Sequence, residues 1–448
     1  MTQTVGVVNG RLSALGLLRL GLPMAGAMAA ALAGHFAVLA VLARVGGDAL
    51  YLRAVYVPLS LVYSAITAGL SMSMQAAAAQ EVGAGNPEGV GRQLTGFLVG
   101  GLAASAVLGS VLAAGGSAVA SLVGVGAADE PAFRAFILAM APAMLFPVAG
   151  EVLAAALRGT GATGLGSAVG LTYLVIEIAG VYLLATVFGW GLMAVPAAVC
   201  AAGAAQCGLG VLLCRGRGVR MGRRMRPSAA GRLFLRIGAP VAISYVVLFA
   251  LNLGYVRILA PFGPDAVAGF SLVYTLQTLI VVPGIGFGSA IAIVMNQARG
   301  AGRPEHAWRA LRLGMSVTAA GYVLVVLTVV LGGQALLGGL AADPAVAEEA
   351  RRAFGVIAPT WAFMGCMLTA VAVMEETGYG IAALAGNLLW AGVVLAVGWA
   401  LTSEAATPVP LYRTMAVANV VGLVVGGPLG LLLLKRTAKA GRGRGDDR

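Results

Sequence analysis

Charge is the scarcest commodity in this sequence: Asp, Glu, Lys and Arg together make up 10% of its 448 residues. A soluble domain carries about 25% charged residues, so lipid, and not water, is the main solvent of this chain. Histidine is nearly missing, with His35 and His306 in different halves. That excludes the His/Cys clusters of a zinc site. It also leaves no clustered constellation for an intramembrane acyl- or glycosyl-transferase, so no enzyme activity, metal or cofactor is expected. The four Cys include no C-x-x-C pair. Cys200, Cys207 and Cys214 recur at heptad spacing on one side of a helix, where small apolar packing is favoured over a thiol or metal stripe. No short apolar core is followed by a small-residue cleavage site, so the first helix is expected to act as an uncleaved insertion signal.

What the chain has in abundance is apolar sequence, 60% of the whole. Runs of about 20 apolar residues, enough to cross a bilayer as a helix, recur along its length. Twelve spans are predicted, at 14–43, 53–77, 94–122, 132–156, 164–186, 192–214, 233–260, 268–295, 310–339, 350–374, 381–401 and 412–434. The 66 glycines suit close helix approach in lipid. A net charge of +12 invites a nucleic-acid reading, but the basic residues sit in loops between spans, where the positive-inside rule puts them. The linker 215–232 carries seven arginines, among them Arg215, Arg220 and Arg226, and the tail 435–448 is basic too. Both are expected on the cytoplasmic side, and with them both termini of a multi-pass protein of a bacterial inner membrane. Loops carrying Asp48, Asp129, Asp265 and Asp343 fit the outer side. The run from Gly284 to Gly288 mimics a nucleotide loop, but lies inside an apolar span with no preceding strand.

The second half repeats the first at a fixed offset of 217 residues. Leu18-Arg19-Leu20-Gly21-Leu22-Pro23 recurs as Leu235-Arg236-Ile237-Gly238-Ala239-Pro240. Gln80, Gly83, Gly85, Pro87 and Glu88 recur as Gln297, Gly300, Gly302, Pro304 and Glu305; Thr160-Gly161 recurs as Thr377-Gly378. Six spans per half is an even number, so the halves insert with the same orientation, as parallel repeats. The predicted class is therefore all-α integral membrane: an N-terminal six-helix lobe (1–214), the linker (215–232), a C-terminal six-helix lobe (233–434) and the tail (435–448).

With these motifs in order and duplicated, the chain resembles the multidrug and toxic compound extrusion (MATE) family over about residues 14–434. The carriers are the Gly21-Leu22-Pro23 and Gly238-Ala239-Pro240 openings, the Gly46 and Gly263 turns, the Gln80–Gly85 and Gln297–Gly302 loops, and Leu157 to Thr163. The resemblance implies a V-shaped pair of six-helix lobes, a central cleft, and export driven by inward H⁺ or Na⁺. It also exposes departures. The positions where members keep coupling carboxylates are Val38, Val181, Leu248 and Met364 here.

The ionisable groups left inside spans are the candidates for coupling, because such groups are costly in lipid. Glu177 lies on span 5, one turn before Val181, and His35 on span 1, one turn before Val38. Both stay on the face of the missing acid. Glu177 reads as a proton site or as a structural carboxyl hydrogen-bonded between helices, and His35 as a packing histidine or a proton switch; in the sharper reading the two together replace the absent acid pair, with H⁺ favoured over Na⁺ as coupling ion. Glu151 either relays protons or pairs with Arg158, two turns on. Glu375 and Glu376 occupy the repeat positions of Arg158 and Gly159, and read as gate or helix-end groups at the membrane boundary. Arg257 either snorkels to the outer interface or serves as counter-charge to an acid. Phe36, Tyr56, Tyr63, Tyr245, Phe249, Tyr255 and Tyr274 are candidates for an aromatic substrate surface, since ring faces attract organic cations. Asn252 and Gln277 join them as polar lining. Pro23 and Pro240 are candidate hinges, because proline interrupts the helical ladder. The expected activity is export of amphipathic organic cations by alternating access, with a small-molecule substrate and membrane lipid as partners, no nucleic acid, and a monomeric protein. A lipid-linked oligosaccharide flippase of the same superfamily and a non-transporting scaffold are the alternatives.

Overall fold

A computed structural model of the chain describes residues 13–222, 227–340, 343–428, 430 and 432. The first 12 residues, Arg223, Arg224 and Arg226 of the linker, and the basic tail lie outside the described residues.

Every regular element among the described residues is helical. In the first half these are α1 (Ala14–Val45), α2 (Gly47–Gly83), α3 (Pro87–Ala114), the short α4 (Gly116–Leu122), α5 (Glu130–Ala143), α6 (Leu145–Gly159), α7 (Thr163–Tyr182) and α8 (Ala194–Gly216). In the second half they are α9 (Pro227–Leu233), α10 (Ala239–Leu259), α11 (Pro264–Val281), α12 (Pro283–Gly300), α13 (Pro304–Leu340), α14 (Pro344–Ile357), α15 (Trp361–Met374), α16 (Gly380–Thr402) and α17 (Val409–Val421). Helix starts follow local chemistry. Asn86 accepts from the Gly89 N–H at 3.0 Å, with Pro87 and Glu88 in the first turn of α3. Asp343 does the same for Ala345 ahead of Pro344. A side-chain acceptor, a proline with no N–H to lose and an acid in the first turn all favour a helix N-terminus.

Among the described residues, eleven helical stretches are long and apolar enough to cross a bilayer. One of them, Pro344–Thr402, runs for 59 residues, whereas a crossing needs about 20. It bends at Gly378, whose φ of 92° lies in the region that favours glycine, and so supplies two crossings. That gives the twelve expected from sequence. Gly161, its partner at the repeat offset, has a φ of 89° and opens the turn between α6 and α7. The repeat is therefore one of backbone geometry as well as of letters. Large apolar side chains such as Val107, Leu138, Leu324, Leu331 and Ile381 are exposed along the helices. Soluble monomers do not show apolar surface on this scale; the protein is a multi-pass membrane protein.

The chain packs as two compact units. Among the described residues, one comprises Gly26–Ala242 and Asn296–Gly302; the other comprises those up to Ala25, Ile243–Met295 and those from Arg303 on. The divisions at Ala25/Gly26 and Ala242/Ile243 fall at the repeat offset, two residues past Pro23 and Pro240. Within the first unit, apolar residues of α2, α3, α6 and α8 form a core around Met74, Leu94, Val152 and Leu157. The Cys207 and Cys214 thiols lie there, against the carbonyls of Phe146 and Leu153.

Candidate functional site

The first unit contains a second core, and it shows what became of the missing acids. Val38 of α1 and Val181 of α7, both buried, are members of one apolar cluster with Leu42, Tyr56, Phe133 and Phe136. Two positions drawn from separate helices thus meet, but as hydrocarbon. Tyr56 packs edge-on to Phe136 at 5.1 Å between ring centroids.

One turn away the chemistry changes. A Cβ at Gly34 of α1 would overlap the Leu174 side chain of α7, so the two helices touch closely at that level; His35 follows Gly34, and Glu177 lies one turn past Leu174. Neither bonds the other. Both lie within electrostatic reach of a third residue, Arg53, near the start of α2. Arg53 is only 7% exposed, and its guanidinium lies over the Tyr56 ring at 5.8 Å. Tyr173, one turn before Glu177 on α7, lies against the same carboxyl. The site is therefore a mixed-charge cluster of Glu177, Arg53 and His35 with Tyr56 and Tyr173 as phenolic walls. Counting His35 as neutral, its net charge is zero with Glu177 ionised and +1 with Glu177 protonated.

Sequence reasoning missed Arg53 and Tyr173. Arg53 was the first residue of the second span, where an Arg reads as an interfacial flank. Its signal was the broken repeat: the matching position is Phe270.

Glu151 and Arg158 are brought together. The Arg158 guanidinium donates to Glu151, to Ser71 at 2.8 Å and to Gln75 at 3.0 Å, with the Arg158 side chain 12% exposed. The network ties α6 to α2. Removing the cation strands a half-buried carboxylate, so Arg158→Met is expected to cost about 2–3 kcal/mol. Glu151→Gln keeps the Ser71 and Gln75 bonds and should cost about 1 kcal/mol. Thermal unfolding of the two purified variants measures the difference.

In the second unit Glu375 and Glu376 are 5% and 0% exposed, inside the helix bend before Gly378 and not at a solvated boundary. Ser244 donates to Glu375 at 2.8 Å and is itself held by Asn387 at 3.2 Å. Ser289 bonds Glu376. Two carboxyls thus stand where the first half has Arg158 and Gly159. Tyr255 is buried against Phe270 and Tyr274, and Asn252 reaches Tyr274. Gln277 accepts from the Trp361 indole at 2.8 Å. Tyr63 is buried, Tyr245 and Phe249 are half-buried, and Phe36 and Arg257 are exposed. The aromatic candidates thus divide into packing members and surface residues. Among the described residues no group of three or more His, Cys, Asp and Glu is placed to hold a metal ion.

Comparison with known proteins follows the same lines. A family model described as MatE matches residues 23–199 and 240–400. The "Probable multidrug resistance protein NorM" of Deinococcus radiodurans is 28% identical over 318 residues, covering 68% of this chain and 68% of that protein. A crystal structure of a MATE in complex with MaL6 superposes with a TM-score of 0.90 at 17% identity, covering 98% of this chain and 100% of that one. The Vibrio cholerae MATE transporter VcmN in its bent form gives 0.88 at 16% identity, covering 96% and 97%. At these identities the structural likeness speaks for the fold.

Proposed function

The chain belongs to the MatE family of multidrug transporters, and on that premise we propose that it is a proton-coupled antiporter exporting amphipathic organic compounds by alternating access. The observation that carries the coupling ion is the placement of Glu177. It stands on α7 one turn from the buried Val181, hydrogen-bonded by Tyr173 and within electrostatic reach of the charged Arg53, which also reaches the titratable His35. A carboxyl in a low-dielectric site with a nearby charge exchanges a proton at modest cost. A basic group on the solute competes with that proton for the same oxygens. Competition for one site is what makes import of one and export of the other obligatory.

Na⁺ is the weaker reading, because Leu248 and Met364 occupy the second-half acid positions. Pro23 and Pro240 mark the bending points in this account, two residues before the unit divisions. The basic charge of the linker and tail supports a cytoplasmic side for both, in an inner membrane. The test is ethidium efflux from reconstituted liposomes under an imposed pH gradient or an imposed Na⁺ gradient. Efflux with the pH gradient alone is expected. Efflux with the Na⁺ gradient alone contradicts the proposal, and efflux with neither moves the weight to a flippase or scaffold.

A further inference from the structure

The other buried acid and base side chains described above have partners: Arg158 holds Glu151, and serine hydroxyls bond Glu375 and Glu376. Arg53 differs. Its Nε and Nη1 are buried with no hydrogen-bond partner, and no carboxylate pairs with it among the described residues. A guanidinium keeps its charge at any physiological pH and presents only donors. Leaving such donors unpaired in a low-dielectric site is destabilising. Glu177 is the first of its stabilising neighbours, but acts on it from beyond ion-pair distance. The rest of the wall is aromatic, with Tyr56 under the guanidinium and Tyr173 beyond.

We propose that Arg53 receives an acidic group of the exported solute, so that the first unit is built for amphipathic compounds carrying an acid beside a base. This rests on the transporter reading above and names its substrate class. With Glu177 ionised, the site offers one negative and one positive charge. A solute with a basic and an acidic group satisfies both. A purely cationic solute gains the Glu177 contact but leaves Arg53 unpaired, and a purely anionic one does the converse. A proton on Glu177 removes the acceptor for the base, so proton and solute still exclude each other. The solute's carboxylate then completes the hydrogen bonds that Arg53 lacks, and charge-assisted bonds of this kind are the stronger class. Because both orphan nitrogens are buried, the solute reaches them as α1, α2 and α7 part during the cycle.

The test uses a matched pair, rhodamine B, which carries a free carboxylate, and its ethyl ester, which does not. Binding is read by fluorescence polarisation on the full chain in lipid nanodiscs without any ion gradient. Arg53→Gln is expected to weaken rhodamine B about tenfold or more and to leave the ester bound as well as before or more tightly. Arg53→Lys keeps the charge and should lose less of the acid dye. It carries the test if Arg53→Gln does not yield monodisperse protein. Equal weakening of both dyes, no weakening of either, or wild-type protein that binds neither dye overturns the assignment. The antiport reading stands separately on driven efflux: its loss with acid-selective binding intact would overturn antiport and leave the Arg53 site in place.

Discussion

Glu177→Gln is expected to reduce pH-gradient-driven efflux to the level of empty liposomes, with expression and thermal stability close to wild type. The amide matches the carboxyl in size and keeps a hydrogen-bonding group beside Tyr173, so packing on α7 changes little. An amide neither binds nor releases a proton in the working range, so the exchange step has nothing to act through. The substitution also leaves Arg53 as the one full charge in the cluster, which raises repulsion toward a cationic dye. Two losses therefore add, one in coupling and one in binding. Glu177→Asp, which retains the titration on a shorter arm, should keep part of the activity. Unchanged efflux in Glu177→Gln would remove this residue from the mechanism.

The second large effect is structural. In the first unit, a Cβ on Gly83 would collide with the carbonyl oxygen of Gln297, and a Cβ on Gly300 with that of Gln80. The two contacts are repeat equivalents of each other and join the end of α2 to the end of α12. Both obstacles are backbone, which cannot swing aside as a side chain would. The neighbouring bond from Gln80 to Asn296, at 3.1 Å, depends on the same approach. Gly83→Ala and Gly300→Ala are each expected to lower the melting temperature by about 5 °C or more, or to prevent recovery of monodisperse protein. Gly100→Ala in α3, where the new methyl meets nothing within 4 Å, is the control and should be neutral. Fluorescence-detected size exclusion after heating separates the three.

The offset of 217 was readable in the letters, and it carried the turn glycines and the Pro-Glu starts of α3 and α13 with it. It could do so because each depends on local chemistry: a backbone conformation that favours glycine, or a proline without an N–H and an acid in the first turn of a helix. The candidate site was half legible. Glu177 and His35 stood out because charge in an apolar span is costly. Arg53 did not, because at the edge of a predicted span it looks like a flank, and only the packing of α2 shows it buried. Glu375 and Glu376 looked like boundary groups for the converse reason. Two adjacent acids suggest solvent, and the serines that hold them, Ser244 and Ser289, come from residues 131 and 87 positions away. Gln277 and Tyr255 read as cleft lining until Trp361 and Phe270 are seen against them. Interhelical partners of this kind are set by packing, and one sequence carries no direct record of them.

If proton and solute compete for Glu177, solute binding releases the proton. Purified protein in weakly buffered nanodiscs, with Glu177 first loaded at mildly acidic pH, is titrated with ethidium while a pH indicator is followed. The account predicts about one proton released per dye bound by the wild type and none by Glu177→Gln. Dye binding without proton release in the wild type would contradict it.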